Sequence, residues 1–189
     1  METIQGGNMI MHRSRRNVLI TTLLLAAMGG QNLRAQASSA AQQDTPQAAE
    51  DVVRQLYDLV TFEAGTTPNW DEVRALFIDE AVVVLRTTPT ATTVFSLEGF
   101  VNDFVTFIER ANVEETGFEE EILRLDATEF HDMAQAWVLY QASVPGSQRP
   151  PQQGVDSFSL IRQDGRWLIA SITNDIPTPD HPIPEVLRD

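Results

Sequence analysis

Three residues in this chain have the types and settings that acid–base chemistry uses: Tyr57, Asp156 and Asp175. A carboxyl group moves protons near neutral pH only when an apolar wall desolvates it and lifts its pKa. Asp156 alternates with Phe158 and Leu160 along one run, and Asp175 closes the next run. Tyr57 lies among Val53, Leu56 and Val60 at helical spacing. Trp70, Glu120, Tyr140 and Asn174 fall beside other apolar stretches and complete the set of candidate pocket residues. Simple alternation places Glu120 and Arg124 on one face of a strand. Each candidate also has a plain structural reading. Tyr57 is then a core aromatic with its hydroxyl at the edge, and the two aspartates are hydrogen-bond acceptors or partners of an arginine. Glu120 and Arg124 become an exposed ion pair, and Trp70, Trp137 and Trp167 become core or interface residues.

Other chemistries find little support. Cysteine is absent, which removes disulfides, thiolate nucleophiles and lipid anchors on cysteine. His131 and His181 stand apart, and Glu119, Glu120 and Glu121 point alternately if they lie on a strand, so no metal site is expected. Neither a G-x-S-x-G elbow nor a glycine-rich nucleotide loop is present, so no cofactor is expected. The formal charge of −14, without a single lysine, repels phosphate backbones and argues against a nucleic-acid partner.

The elements that must position these residues are legible in outline. The strongest signal is residues 154–175, GVDSFSLIRQDGRWLIASITND, two alternating runs folded on Asp164-Gly165. Asp-Gly favours a type I′ turn, which needs positive φ at both central positions. Simple parity sets Trp167 and Ile169 against Leu168, Ala170 and Ile172. Both faces of this hairpin carry large apolar groups, so both are expected to be covered. Upstream, Thr45-Pro46 reads as a helix start, with Val52, Leu56, Leu59 and Val60 on one face and Gly65 as the terminating residue. Asn69 with Glu72 caps a short second helix, and Ser96 caps a third that carries Phe100, Phe104, Phe107 and Ile108. Residues 81–85 read as a buried strand, 87–93 as a polar loop, and 118–129 and 133–144 as long strands. Early helices and late strands indicate an α+β domain with the sheet curled around the helices.

The N-terminus reads as an address. Arg13, Arg15 and Arg16 precede an apolar run at residues 18–28, too short to span a bilayer, and Ala35-Gln36-Ala37 forms a cleavage site. Ser14-Arg15-Arg16-Asn17-Val18-Leu19 is similar to the twin-arginine export signal. The expected organisation is a cleaved signal at 1–37, a flexible leader at 38–45, one domain at 46–176 and a proline-rich tail at 177–189. The mature chain would be periplasmic or secreted, without a stable membrane anchor. It would keep nine basic and 26 acidic side chains, net −17.

The order of elements resembles the nuclear transport factor 2-like superfamily. That group includes ketosteroid isomerases, limonene epoxide hydrolases, scytalone dehydratases and SnoaL-like polyketide cyclases. The likeness is closest to uncharacterised bacterial members and covers nearly all of residues 48–176. It rests on YDLVTFEAG at 57–65, Asn69-Trp70-Asp71, Leu76-Phe77, Gly117-Phe118 with Glu120, residues 134–140, Gly154-Val155-Asp156-Ser157-Phe158 and Gly165-Arg166-Trp167. Two positions depart from the pattern. Asp156 stands where these relatives tend to have Asn, and Asn174 where many have Trp before an Asp such as Asp175. The resemblance implies a cone-shaped α+β barrel, a curved, mostly antiparallel sheet around three N-terminal helices, commonly paired as a homodimer through the outer sheet face. It also implies a pocket for a small apolar or cyclic molecule, with cofactor-independent isomerisation, dehydration or hydrolysis. The competing expectation is a cone filled by Phe100, Phe104 and Phe107, and a non-catalytic binding or assembly module of the cell envelope.

Overall fold

A computed structural model describes residues 47–88 and 90–188. The signal segment, the leader and the Thr45-Pro46 helix start lie outside the described residues. The first described helix, α1 (Ala49–Val60), begins at an Ala48 cap. The Ala48 N–H donates to the Asp51 carboxylate at 2.9 Å, which satisfies one amide that the helix leaves open. This helix ends at Thr61, in extended conformation, rather than at Gly65, which lies four residues further on with φ +79°. A two-residue strand β1 (Phe62–Glu63) separates them. Asn69 caps α2 (Trp70–Arg74) by accepting from Asp71 and Glu72, and Ser96 caps α3 (Leu97–Ala111) by accepting from Gly99.

The remaining strands are β2 (Phe77–Thr88), β3 (Ala91–Ser96), β4 (Gly117–Phe130), β5 (Met133–Ser143), β6 (Gln152–Gln163) and β7 (Arg166–Asp175). They form one sheet in the order β1-β4-β5-β6-β7-β2-β3, antiparallel except where β2 meets β7. The expected loop at 87–93 is in fact a hairpin, because β-branched threonines pair across it: Thr92 opposite Arg86, Thr93 opposite Leu85. Asp164 and Gly165 both take positive φ, +50° and +80°, as the type I′ turn requires.

The sheet curves over α1 and α3, giving an α+β cone. Its core joins Val52, Val53 and Leu56 of α1 to Val138 of β5, Phe158 and Leu160 of β6, and Trp167 and Ile169 of β7. Burying a side chain such as Phe158 stabilises by about 1.5–3 kcal/mol. A second cluster, Phe62, Ile108, Val113 and Phe118, closes the end where β1 meets β4.

Two β-bulges change which residues face inward. Ser159 pairs with Ser171 but Leu160 pairs with Ile169, so Ala170 is the extra residue on β7. Trp167, Ile169, Ile172 and Asn174 therefore all turn to the core, where simple parity sets Trp167 and Ile169 against Ile172. Likewise Ile122 pairs with Tyr140 and Arg124 with Leu139, which leaves Leu123 extra on β4. The bulge separates Glu120 from Arg124. Glu120 turns inward, and Arg124 bonds Asp126 at 2.6 Å on the outer face. Ile183 of the C-terminal tail is buried, and the 3₁₀ turn Glu185–Leu187 lies against β5.

Candidate active site

Tyr57, Asp156, Asn174 and Tyr140 form one hydrogen-bonded group inside the cone. The position of each follows from its element. Tyr57 sits on the inward face of α1, only 4% exposed, with its ring 6.4 Å from that of Phe158. Asp156 and Asn174 are cross-strand partners on β6 and β7, and the bulge at Ala170 gives Asn174 its inward direction. Tyr140 pairs with Gly154, and a Cβ there would collide with the Tyr140 ring. Only glycine lets that ring lie flat across β6 with its hydroxyl at Asn174.

The Tyr57 hydroxyl donates to Asp156 Oδ2 at 2.6 Å. Asn174 Nδ2 donates to Asp156 Oδ1 at 2.7 Å and to the Tyr140 oxygen at 3.0 Å. An ionised carboxylate only accepts, so it fixes the direction of both bonds. Burial pushes the Asp156 carboxyl up to about 6, against the two donors, which hold it down. Desolvation, then the neighbouring Asp156 charge, push the Tyr57 phenol well above its ordinary range, and the same two causes raise Tyr140. Both phenols therefore keep their protons. That of Tyr57 is committed to Asp156. That of Tyr140 has no acceptor among the described residues and faces the cavity.

Glu120 is the fourth acidic or phenolic group on this wall. The end of α1 clamps its backbone: Thr61 Oγ1 accepts from the Glu120 N–H at 3.0 Å and donates to its carbonyl at 3.2 Å. No hydrogen bond to its carboxyl occurs among the described residues. Desolvation, with the Asp156 charge beside it, pushes that carboxyl up to about 8.

These groups open on a cavity of about 320 Å³. Its opposite wall is aromatic. Phe104 meets Phe100, Phe107 and Phe118 edge-on, with centroids 6.1, 5.8 and 5.7 Å away. The phenylalanines thus line the cone without filling it. Arg86 and Gln152 mark the mouth, since both also line an outer depression beside the tail.

Two sequence candidates fall elsewhere. Trp70 packs on Phe104, centroids 5.4 Å apart, and is not among the residues that line the cavity. The Asp175 side chain, 64% exposed, takes a two-pronged bond from Arg86 at 2.9 and 2.9 Å, and that guanidinium holds its carboxyl below the usual range. Sequence reasoning passed over Thr61 and Arg86. Thr61 carries no local signal, because its role depends on β4. Arg86 is the one cation in a long apolar and threonine-rich run, a cue available to inspection. No group of three potential metal ligands occurs among the described residues, and none of their helices is long and apolar enough to cross a membrane.

Solved structures place this architecture. An NTF2-like protein with a cystatin-like fold from Novosphingobium aromaticivorans superposes with a TM-score of 0.55 at 12% identity, over 69% of this chain and 82% of that one. A candidate ketosteroid isomerase from Shewanella frigidimarina gives 0.52 at 18% identity, over 68% and 95%. A candidate scytalone dehydratase, also from N. aromaticivorans, gives 0.52 at 12% identity, over 69% and 83%. The fold is that of the nuclear transport factor 2-like proteins, a cystatin-like α+β cone. No protein-family model and no curated protein matches the sequence.

Proposed function

We propose that the cone binds a compact apolar or cyclic molecule and that Asp156 exchanges a proton with it. One observation carries this reading. A 320 Å³ cavity sets a desolvated carboxylate and an uncommitted phenol on one wall, facing aromatic rings. A mostly apolar pocket with a few convergent polar groups is the usual form of a small-molecule site. Asp156 is the proton acceptor, held in place by Tyr57 and Asn174. Tyr140 donates to the ligand, and Glu120 holds the ligand's polar end. The reaction class is a cofactor-independent isomerisation, dehydration or hydrolysis, and the likeness to structures named as a candidate isomerase and a candidate dehydratase supports it. Turnover rises as pH climbs through about 6, because Asp156 must be ionised to accept a proton. The test is Asp156→Asn, with cyclic ketones, alcohols and epoxides followed by mass spectrometry. Turnover should vanish while binding persists. Full turnover by the variant would remove Asp156 from the reaction. Binding without turnover in the wild type would favour a non-catalytic binding module of the cell envelope.

Two further proposals concern the whole protein. Export by the twin-arginine route is supported by Arg15 and Arg16 ahead of the apolar run. Replacing both with Lys should trap precursor in the cell, and normal secretion of that variant would exclude the route. A homodimer through the outer sheet face is supported by Phe130, Met133 and Trp137, which stand exposed on β4 and β5. Light scattering at micromolar concentration should give twice the chain mass; the mass of one chain would refute pairing.

A further inference from the structure

We infer that the ligand of this pocket is a compact hydrophobic amine, held as its ammonium ion against Glu120 with its apolar body among the phenylalanine rings. The inference rests on the pocket reading above and adds the ligand's chemical class. Three features of the cavity lead to it.

The first is the charge balance of the wall. Among the described residues, two carboxyl groups line the cavity, and the one cation that reaches it, Arg86, is already engaged in both prongs by Asp175 at the mouth. The groups that face Glu120 are Asp156 from β6, Tyr57 from α1 and Tyr140 from β5, none of them cationic. In the depression on its other side lie Arg54 and Asp58 of α1 and Glu119 and Glu121 of β4. The Glu120 carboxyl stays without a hydrogen bond among the described residues. Glu120 is partly exposed, lining both the cavity and that depression, and its carboxyl is open to a donor that brings positive charge.

The second feature is the aromatic lining. Tyr57 and Tyr140 tilt toward one another at 5.8 Å beside the acids, and Phe100, Phe104, Phe107 and Phe118 complete the enclosure. Ring faces attract ammonium groups, and the attraction grows once water is excluded. An anionic ligand would meet two acids here, and a neutral one would leave Glu120 without its charge partner. The third feature is the field of the whole chain. A net charge of −14 favours the approach of cations to the protein over that of anions.

The inference has a proton signature. Near neutral pH Glu120 carries a proton. The ammonium group takes its place, the Glu120 O–H bond breaks, and that proton leaves to solvent while the amine keeps its own. Binding of an amine therefore releases close to one proton near pH 7 and none well above pH 8, where Glu120 is already ionised. Amine affinity climbs with pH through about 8 for the same reason.

The experiment uses a matched set of cage compounds, adamantylamine, adamantanol and adamantane carboxylate, titrated calorimetrically in two buffers of different ionisation enthalpy. The inference predicts that the amine binds at least about tenfold more tightly than the alcohol near pH 8, and that the carboxylate does not bind. It also predicts that only the amine releases a proton. Glu120→Gln should bring amine and alcohol together. Equal or tighter binding of the alcohol, or an amine preference that survives Glu120→Gln, would overturn the amine inference and leave the pocket standing. If none of the three binds, the pocket reading fails, and the inference with it. Wild-type proton release is read without any variant, so a poorly folded Glu120→Gln protein does not block the decision.

Discussion

Asp156 and Asp175 begin as near equals in the sequence and end as opposites in the structure. Both stand on the last hairpin, and Asp175 is the immediate neighbour of Asn174, the cross-strand partner of Asp156. Asp156 points into the cone, where lost hydration outweighs two hydrogen bonds and its carboxyl rises to about 6. Asp175 points outward, where Arg86 and the Ile176 N–H hold its carboxyl low. One residue of strand parity decides which side of the sheet an acid sees. The sign of its nearest partner then decides the direction of its shift. Glu120 extends the contrast, with the larger rise and no hydrogen bond to its carboxyl among the described residues.

The largest expected effect tests the inner acids through stability. Glu120 has a folded pKa raised from 4.5 to about 8, so the folded state holds its proton more tightly than the unfolded chain. Its contribution is complete below about 4.5 and is lost as pH rises through about 8. Glu120→Gln cannot lose that proton. Near pH 9 the variant should melt about 10 °C above the wild type, on a scale of roughly 1.4 kcal/mol per pKa unit, and the gap should close near pH 5. Equal pH profiles in calorimetry would show that Glu120 is not desolvated.

A middle-sized effect probes the geometry that serves Asp156. Gly154→Ala places a methyl group where the Tyr140 ring lies, so Tyr140 must swing off Asn174. Ligand affinity should fall about tenfold, with a Tm loss of several degrees. Unchanged binding to the cage amine would mean that Tyr140 does not shape the pocket. The smallest effect belongs to the outer acid. Asp175→Asn breaks an exposed ion pair and should leave the melting temperature within about 2 °C. Its low carboxyl contributes only above the usual carboxylate range and is lost in acid, so any difference appears near neutral pH and fades as pH falls. A large loss at pH 7 would give the rim pair a structural weight that its exposure argues against.

Much of the architecture was open to sequence reasoning because its signals are local. Asp164-Gly165, the Asn69 and Ser96 caps and the apolar stripe of α1 each depend on a few neighbouring residues. The missed features depend on distant partners. The bulges at Leu123 and Ala170 insert one residue each without a glycine to announce it, and they reverse the faces of Arg124 and Asn174 relative to simple alternation. Strand β3 hides in threonines that read as loop until β2 pairs with them. In the site, Tyr57 and Asp156 could be named because both sit in apolar runs. Their separation from Asp175 and Trp70 could not, since it depends on which face of the sheet is concave.

The most direct test of the central claim is a carbon-13 NMR titration of the side-chain carboxyls, with Asp156→Asn and Glu120→Gln used to assign the signals. The account predicts one carboxyl titrating near 6 and a second near 8, lost in turn from the two variants, while Asp175 titrates below 3.8. Asp156 and Glu120 both titrating near 4, as solvated carboxyls do, would contradict it.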